Sequence, residues 1–258
     1  MEILNMSEIK SIQKIQSKFK KILSDYHLID NNDHILIGLS GGKDSLALVE
    51  LLGERMKNRV PNFKLTAVHI SVENIPYQSD LDYLATYAEQ WNIPFVHHVT
   101  SFDETTNTNK STCFLCSWHR RKALFEVAKK LGCNKLALGH HLDDIAETLL
   151  LNLVFQGSFG SMPPILKMKK FDMTIIRPLA LISEKEMKEM ERIRGYQQQI
   201  KNCPHEKDSS RRNAKNLLTE LEKWNPDVRQ SIWGAMENIK KEYLPKKIDR
   251  RFTKHVDE

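Results

Sequence analysis

A short segment of small, polar and charged residues has the composition needed to bind phosphate groups. Ser40-Gly41-Gly42-Lys43-Asp44-Ser45 lies between an apolar run that predicts a buried strand and an apolar stretch that predicts a helix. A strand, a glycine turn and a helix start direct several backbone N–H groups and the positive end of a helix dipole at one anion. The glycines carry no β-carbon to hold the backbone away from a phosphate, while the serines and the lysine add hydrogen-bond donors.

The spacing of this segment differs from that of the common P-loop, which has four residues between its first glycine and a Gly-Lys pair followed by Ser or Thr. Here Gly38 lies one residue too close to Gly42, and Asp44 follows the lysine. An acid beside phosphates suggests a magnesium ligand, since Mg²⁺ binds carboxylate and phosphate oxygens. The segment resembles the PP-loop of the ATP pyrophosphatase superfamily, which implies that pyrophosphate leaves while a substrate is adenylated. The less specific interpretation is a serine-glycine turn at a strand end.

A second cluster, Gly139-His140-His141-Leu142-Asp143-Asp144, lies at another predicted strand-to-helix junction. Two acids at a helix start can simply be caps that the helix dipole favours, and the histidines can close a strand end by hydrogen bonds. Because Asp44 alone is a poor ligand set for magnesium on a triphosphate, we predict that Asp144 binds metal or nucleotide and that Asp143 caps the helix. The other predicted nucleotide contacts are Gly139, His140 and His69.

Cysteines form the third element. Cys113-Phe114-Leu115-Cys116 is a C-x-x-C pair that can bind one metal ion or cluster, and Cys203 lies far downstream. A structural zinc needs a fourth ligand, which His119 or His205 could supply, whereas an iron–sulfur cluster held by three cysteines leaves one iron open. Two unrelated thiols near a helix start are the alternative. Cys133 is predicted to be a buried small residue.

Composition and charge set the class of protein. The chain has 258 residues and a formal net charge of +6, compatible with a polyanionic partner but not diagnostic of one. Its N-terminus lacks the apolar core of a signal peptide, and its longest apolar stretch is too short to span a bilayer. We therefore expect a cytoplasmic protein with no membrane partner. Four cysteines in such a chain favour metal or redox chemistry over a disulfide framework.

Alternating strand and helix patterns predict the scaffold that positions these motifs. They indicate an α/β fold with a doubly wound, mostly parallel sheet of five strands, in which ligands bind at the carboxyl ends of the strands. We expect a helical N-terminal extension over 1–30, a catalytic domain carrying the C-x-x-C pair over 31–195, and a helical C-terminal region over 196–258. The five predicted strands are Ile35–Leu39, Leu65–Val72, Phe95–Thr100, Lys135–Gly139 and Thr174–Pro178.

Taken in order, the motifs resemble the tRNA 2-thiocytidine synthetase family, a branch of the PP-loop enzymes. The resemblance implies that MgATP adenylates the C2 oxygen of an anticodon-loop cytidine, and that sulfur carried by a three-cysteine 4Fe-4S cluster displaces AMP. The series comprises the Ser40 loop, the C-x-x-C pair with Arg120-Arg121, Gly-His-His-x-Asp-Asp-x-x-Glu-Thr, Met162-Pro163-Pro164, Arg177-Pro178-Leu179 and a late cysteine.

Carried over to this sequence, the resemblance assigns the pyrophosphate end of ATP to Ser40, Gly41, Gly42, Lys43, Asp44 and Ser45. It assigns the cluster to Cys113, Cys116 and Cys203. Asp44 and Asp144 are the predicted magnesium ligands. Arg120, four residues past Cys116, is our predicted transition-state cation, with a solvated arginine or a tRNA phosphate contact as alternatives. The family often has a second C-x-x-C downstream, whereas Cys203 is followed by Pro204-His205-Glu206, so the target could be another tRNA base.

The partners implied are the anticodon stem-loop of tRNA, a sulfur donor such as a cysteine desulfurase, and a second copy of the chain in a homodimer. Basic clusters could follow an RNA backbone, although most such pairs are merely exposed. Two other classes stay open: a zinc-bearing PP-loop ligase or amidotransferase, and a nucleotide-binding protein without activity. The basic clusters are His119-Arg120-Arg121-Lys122, Arg211-Arg212, Lys240-Lys241, Lys246-Lys247 and Arg250-Arg251.

The first prediction follows from the type of the phosphate-binding loop that begins at Ser40. Turnover of ATP in the presence of substrate RNA should release AMP and pyrophosphate, because the PP-loop holds the β and γ phosphates as the leaving group. Thin-layer chromatography of ATP labelled at the α-phosphate separates AMP from ADP. Formation of ADP would overturn the PP-loop assignment.

Overall fold

A six-stranded sheet forms the centre of the computed structural model, which describes residues 4–75, 79–103, 111–169, 171–197, 199 and 209–245. The strand order is β3-β2-β1-β4-β6-β5, and every neighbouring pair is parallel except β5 with β6. The mostly parallel, doubly wound α/β fold predicted from the sequence is thus confirmed. The strands are β1 (His34–Gly38), β2 (Lys64–Val72), β3 (Phe95–Thr100), β4 (Lys135–Ala137), β5 (Ile165–Lys167) and β6 (Thr174–Ile176).

The predicted count of five strands is one too low. The additional strand, β5, is the short antiparallel strand at the edge of the sheet, and all three of its residues are exposed. A three-residue exposed strand has neither the buried apolar run nor the alternation that marks a strand in a sequence. Its ladder with β6 forms only because the chain folds back after Pro164.

Eight α-helices surround the sheet within the described residues, followed by a short 3₁₀ helix at Lys241–Tyr243. No helix among the described residues is both long enough and apolar enough to cross a membrane. The boundaries predicted at residues 30 and 195 remain a prediction. The helices are α1 (Met6–Asp25), α2 (Lys43–Met56), α3 (Leu81–Gln90), α4 (Thr112–Lys130), α5 (Leu142–Gln156), α6 (Glu184–Arg194), α7 (Ser209–Trp224) and α8 (Val228–Glu237).

The two faces of the sheet bury separate hydrophobic cores, because successive side chains of a strand point to opposite sides. On β1, Ile35 and Ile37 belong to the core that also contains apolar residues of α1, α2, α3 and α6. Leu36 belongs to the other core, formed with β6 and with α4 residues such as Phe125. The helix α4 contacts β2, β3 and β4 on this second face.

The parallel pairing of β1 with β4 decides where the chemistry can occur. Their registers match Ile37 with Ala137, so both strands end at the same edge of the sheet. The predicted phosphate loop follows β1 and leads into α2, while the histidine-aspartate segment follows β4 and leads into α5. The first segments after these strands therefore lie side by side, at the point where the strand order reverses.

A buried carboxylate anchors the segment after α6 to the helix that follows the phosphate loop. Glu50 on α2 is 3% exposed and accepts hydrogen bonds from Arg194 Nε at 2.7 Å and from the Tyr196 hydroxyl at 2.8 Å. Burial raises the pKa of Glu50, and the charge of Arg194 opposes that rise. The ion pair holds the chain just after α6 against α2.

Glu50→Ala should therefore destabilise the protein by about 3–5 kcal/mol, because it leaves Arg194 and Tyr196 facing a buried site without their acceptor. Urea unfolding followed by circular dichroism measures the difference. Glu54→Ala, one turn further along the same helix, is the matched control. Glu54 is exposed, and within the described part of the chain its side chain bonds only Gln16, at 2.8 Å, so its loss should cost less than about 1 kcal/mol. Equal losses for the two variants would contradict the anchoring role of Glu50.

Candidate active site

The loop between β1 and α2 has the geometry of an anion site. Gly42 is the N-cap of α2 with an extended backbone, and Gly41 has a φ of +81°, a conformation that residues with a β-carbon rarely adopt. The hydroxyl of Ser45 donates to the Gly42 carbonyl at 2.9 Å and accepts from the Ser40 backbone N–H at 3.1 Å. These bonds fold the loop around the start of α2, where free N–H groups and the helix dipole favour phosphate.

The segment after β4 packs against this loop at backbone distance. A β-carbon on Gly139 would come within 3.2 Å of the Asp44 carbonyl carbon and 3.3 Å of the Ser45 nitrogen. Any β-carbon at this position would push the two backbones apart by a few tenths of an ångström, which glycine avoids. The predicted contact residue Gly139 thus has a packing role, and it also lines the smaller of two cavities at this edge.

Asp44 has the properties of a ligand for a cation. Its Oδ2 atom accepts an ion-pair hydrogen bond from Lys43 Nζ at 3.0 Å. Its Oδ1 atom is buried and has no hydrogen-bond partner among the described residues. A buried carboxylate oxygen left without a donor is costly, so this atom fits a magnesium ion that would bridge it to phosphate oxygens.

The cap that we predicted for Asp143 at the start of α5 is formed instead by Asp144 together with His141. His141 is the N-cap, and the capping box is completed by Asp144, whose Oδ2 accepts from the His141 backbone N–H at 3.1 Å. Asp143 is not the cap; it is buried, pairs with Arg229 of α8, and accepts from the Glu184 backbone N–H at 2.6 Å. The Oδ1 atom of Asp144 takes no part in this cap.

In this structure the other oxygen of Asp144 faces an arginine of α7. Arg211 Nη2 lies 3.6 Å from Asp144 Oδ1, and Arg211 Nε donates to Glu147 Oε2 at 3.3 Å. Burial and the charge of Asp144 raise the pKa of Glu147. Arg211, which the sequence predicted as an RNA contact, thus pairs with acids of α5, and both Arg211 and Arg212 are exposed. Lys246-Lys247, Arg250-Arg251, Cys203 and His205 lie outside the described residues.

The smaller cavity, about 290 Å³, joins the phosphate loop to the ends of β2 and β4. Its wall includes the predicted contact His69, a buried residue whose Nδ1–H donates to the Leu39 carbonyl at 2.8 Å. Burial lowers the pKa of His69, so the ring is neutral at pH 7 and supports the strand end before the loop. Ser40, Gly42, Asp44, Ser45, Arg120, Gly139 and His140 line the same cavity.

The larger cavity, about 620 Å³, lies between α4 and the β4–β6–β5 half of the sheet. Cys113 and Cys116, one turn apart at the start of α4, both line it. Ser40, Arg120 and His140 line both cavities. The tertiary structure therefore brings the cysteine pair, the predicted transition-state cation and the phosphate loop to one connected space.

The two cysteine side chains that line the larger cavity suit a metal cluster bound by thiolates. Cys113 and Cys116, the second and fifth residues of α4, both line the larger cavity, and two thiols at this spacing can bind one metal ion or cluster. His119, proposed as a zinc ligand, instead packs its ring on Phe102 with 5.5 Å between the centroids, and it does not line the larger cavity. Cys133 is buried, and burial raises the pKa of its thiol to about 11, which confirms the prediction of a small core residue.

His140 occupies the junction of the two cavities as a neutral side chain. Desolvation by the surrounding protein lowers its pKa to about 4, against the opposing effect of Asp144. Its Nδ1 atom is buried without a partner among the described residues. A neutral imidazole at this junction can exchange hydrogen bonds with a nucleotide or a base but brings no positive charge.

Two side chains of the site were given no role from the sequence. Arg177 entered only through its motif, yet it is buried and lines the larger cavity. Its Nη1 donates to the Pro163 carbonyl at 2.7 Å, which explains why the Met162-Pro163-Pro164 segment and this arginine occur together. Glu147 joins Asp144 and Arg211; its position three residues after Asp144, on the same helix face, was the available signal.

The sequence of this chain is similar to a known domain family and to named tRNA-modifying enzymes. Residues 11–218 match a family described as the PP-loop domain. The chain is 38% identical over 241 residues to the tRNA-cytidine(32) 2-sulfurtransferase of Geobacter sulfurreducens, covering 90% of this chain and 92% of that protein. The enzyme of the same name from Citrifermentans bemidjiense is 33% identical over 252 residues, with 96% and 97% covered.

A solved structure extends the comparison to the fold. The U34-tRNA thiolase NcsA from Methanococcus maripaludis, with its 4Fe-4S cluster, matches with a TM-score of 0.75 and 28% identity. The match covers 94% of this chain and 82% of that chain. Both kinds of relative act on pyrimidines of tRNA, one on cytidine and the other on uridine.

The role of the carboxylates is tested first at Asp44, with a matched control variant. Asp44→Asn should weaken magnesium-dependent ATP binding at least about tenfold, because a neutral amide is a poor ligand for Mg²⁺. Titration calorimetry with and without Mg²⁺ measures the effect. Asp82→Asn is the matched control, since Asp82 holds the same second position of α3 but is exposed and lines neither cavity.

The same substitution of Asp by Asn should distinguish the roles of the two neighbouring aspartates at the start of α5. Asp144→Asn retains a carbonyl oxygen for the His141 cap, so it should lower AMP formation at least about tenfold with little loss of stability. Asp143→Asn removes the buried charge that pairs with Arg229, so it should mainly lower the melting temperature. Normal AMP formation by Asp144→Asn would show that Asp144 serves only as a helix cap.

Proposed function

This chain belongs to the PP-loop domain family, in the branch of its tRNA-cytidine(32) 2-sulfurtransferase relatives, and we propose that it replaces the C2 oxygen of a tRNA cytidine by sulfur. It does so at the expense of ATP, which is cleaved to AMP and pyrophosphate. The observation that carries the proposal is the connection of the two cavities through Ser40, Arg120 and His140. An activated base can meet both ATP and the cysteine pair there without leaving the enzyme.

The first step is adenylation of the base. The phosphate loop and the start of α2 hold the β and γ phosphates. Asp44 and Asp144 would hold Mg²⁺, which when bound supplies positive charge for these phosphates. The C2 oxygen attacks the α-phosphorus, the bond to pyrophosphate breaks, and pyrophosphate leaves. Arg120, which lines both cavities, is placed to stabilise the negative charge that builds on the phosphorus oxygens.

The second step exchanges oxygen for sulfur. Cys113, Cys116 and Cys203 would hold a 4Fe-4S cluster, which when bound supplies an iron position for a sulfide. The sulfide forms a bond to C2, the bond from C2 to the adenylated oxygen breaks, and AMP leaves with that oxygen. Adenylation is needed because a carbonyl oxygen is a poor leaving group, whereas a phosphate ester is a good one.

The partners follow from this chemistry. The tRNA must present a base splayed out of its loop, as single-stranded RNA recognition usually requires. Arg121 and Lys122, exposed on α4 near the mouth of the larger cavity, are placed to contact its phosphates, and the exposed ring of Trp118 lies beside them. Each turnover consumes one sulfur atom, so a donor such as a cysteine desulfurase is part of the proposal.

We also propose that the enzyme acts in the cytoplasm and that a second copy of the chain forms a homodimer with it. Exposed apolar side chains near the end of α5 offer a surface for such contact. They are Leu153, Val154, Phe155 and Phe159. The zinc ligase alternative is less favoured, because His119 lies away from the cavity that the cysteines line.

The test of this function uses the three cysteines together with Cys133. Protein purified without oxygen should contain about four irons per chain and should form 2-thiocytidine in tRNA with ATP and sulfide. Cys113→Ser, Cys116→Ser and Cys203→Ser should each lose the iron and the thiolation. Iron assays and mass spectrometry of digested tRNA give the two readouts.

Cys133→Ser is the control, because this thiol is buried in the core away from both cavities and should leave iron content and product unchanged. A colourless protein with one zinc per chain, joining an amine to the adenylated base, would establish the ligase alternative instead. Formation of 2-thiouridine from a uridine-bearing tRNA at the same rate would show that the target is not restricted to cytidine.

A further inference from the structure

One buried cation of the larger cavity has no counter-ion. Arg177 is 6% exposed, and among the described residues no carboxylate lies within 4.0 Å of its guanidinium. Its one side-chain hydrogen bond runs from Nη1 to the Pro163 carbonyl. Its Nε atom is buried without a partner in the described part of the chain. Burial and the nearby charge of Arg121 lower the pKa of Arg177 to about 10, so it remains charged at neutral pH.

Lys135, the other buried lysine or arginine among the described residues, has carboxylate partners: Asp30 and Asp33 lie at 2.8 Å and 2.7 Å. Even Arg194, whose side chain is 30% exposed, is paired with Glu50 at 2.7 Å. Removing a charge from water is costly unless it is paired and hydrogen-bonded, so an unpaired guanidinium indicates a ligand that completes it.

The cavity around Arg177 limits what that ligand can be. Apolar side chains of α4 and of the sheet form most of its wall, and its volume of about 620 Å³ lies within the range of small-molecule sites. Flat, apolar walls with a few polar groups suit the ring of a nucleobase. The apolar residues that line it include Leu124, Phe125, Leu136, Leu138, Ile175 and Met162.

The free edge of the guanidinium has a definite hydrogen-bonding pattern. With Nη1 committed to Pro163, the remaining edge consists of Nε–H and Nη2–H, two parallel donors. Cytosine presents two adjacent acceptors, O2 and N3, whereas uracil presents the acceptor O2 beside the donor N3–H. Two parallel donors match the first pattern and conflict with the second.

We propose that Arg177 reads the O2–N3 edge of the target base and thereby selects cytosine over uracil. This inference rests on the proposed function and names the residue that fixes its substrate. Because Nε has no exposed surface in the empty cavity, the guanidinium must turn about its contact with Pro163 when the base enters. The relatives thiolate either cytidine or uridine on one fold, so such a residue is required for discrimination.

The contact also has a consequence for the chemistry. The N3 lone pair is the most basic site of cytosine and competes with O2 for the α-phosphorus. A hydrogen bond from Arg177 occupies that lone pair and leaves an O2 lone pair for attack on ATP. The same residue would therefore act in specificity and in directing the site of adenylation.

The experiment compares anticodon stem-loops that carry cytidine, 3-deazacytidine or uridine at position 32, the position in the relatives' name. Binding to the enzyme is measured by fluorescence anisotropy with a non-hydrolysable ATP analogue, so that no turnover is needed. The wild-type protein should bind the cytidine RNA about tenfold to a hundredfold more tightly than the other two, the range expected for a hydrogen bond to a charged group.

Arg177→Met should bind the cytidine RNA as weakly as the 3-deazacytidine RNA, and Arg177→Lys should keep part of the affinity with little discrimination. Arg121→Met is the matched control, because Arg121 lines the same cavity but is exposed. It should weaken binding of all three RNAs by the same factor.

Two results would overturn the inference while leaving the proposed function intact. One is wild-type protein that thiolates cytidine yet binds the cytidine and 3-deazacytidine RNAs equally. The other is Arg177→Met protein that loses affinity for all three RNAs by one factor, which would make Arg177 a support for the Pro163 segment only. Wild-type protein that neither binds the cytidine RNA nor forms AMP with it would refute the proposed function itself.

Discussion

The parallel direction of the strands is the constraint on which the rest of the site depends. Because β1, β3 and β4 all run the same way, the helices that follow them, α2, α4 and α5, all begin at one edge of the sheet. Each helix start brings free N–H groups and the positive end of a dipole. Three such starts make this edge suited to phosphates, to metal-binding carboxylates and to thiolates at once.

The close approach of two backbones turns this shared edge into one site. Gly139 allows the segment after β4 to lie against the phosphate loop, so His140 and Asp44 line the same cavity. Two buried carboxylates hold the helices around this contact in place. Glu50 holds the chain after α6 to α2, and Asp143 holds α8 to α5. The reactive groups are thus supported by ion pairs that take no part in the reaction.

The uneven covering of the sheet explains the larger cavity. On one face, helices cover the central strands, whereas on the other face α4 contacts β2, β3 and β4. Apolar side chains of β4, β5 and β6, namely Leu136, Leu166 and Ile175, line the larger cavity. A surface left apolar beside the cysteines, with Arg177 and Arg121 at its border, is suited to a base that must be enclosed while it reacts.

The sequence alone determined the features that depend on short-range pattern. The phosphate loop, the C-x-x-C spacing and the order of strands and helices follow from residue types at fixed separations, so all were predictable, as was the parallel sheet. Among the strands, only β5 was missed, because it is too short and too exposed to leave a pattern.

The tertiary structure decided which charged residues pair with each other. Asp143 and Arg229 are 86 residues apart, Glu147 and Arg211 are 64 apart, and no carboxylate of the described ranges pairs with the buried Arg177. No spacing rule encodes these outcomes, because they arise from how α7 and α8 pack on α5 and from what the fold leaves uncovered.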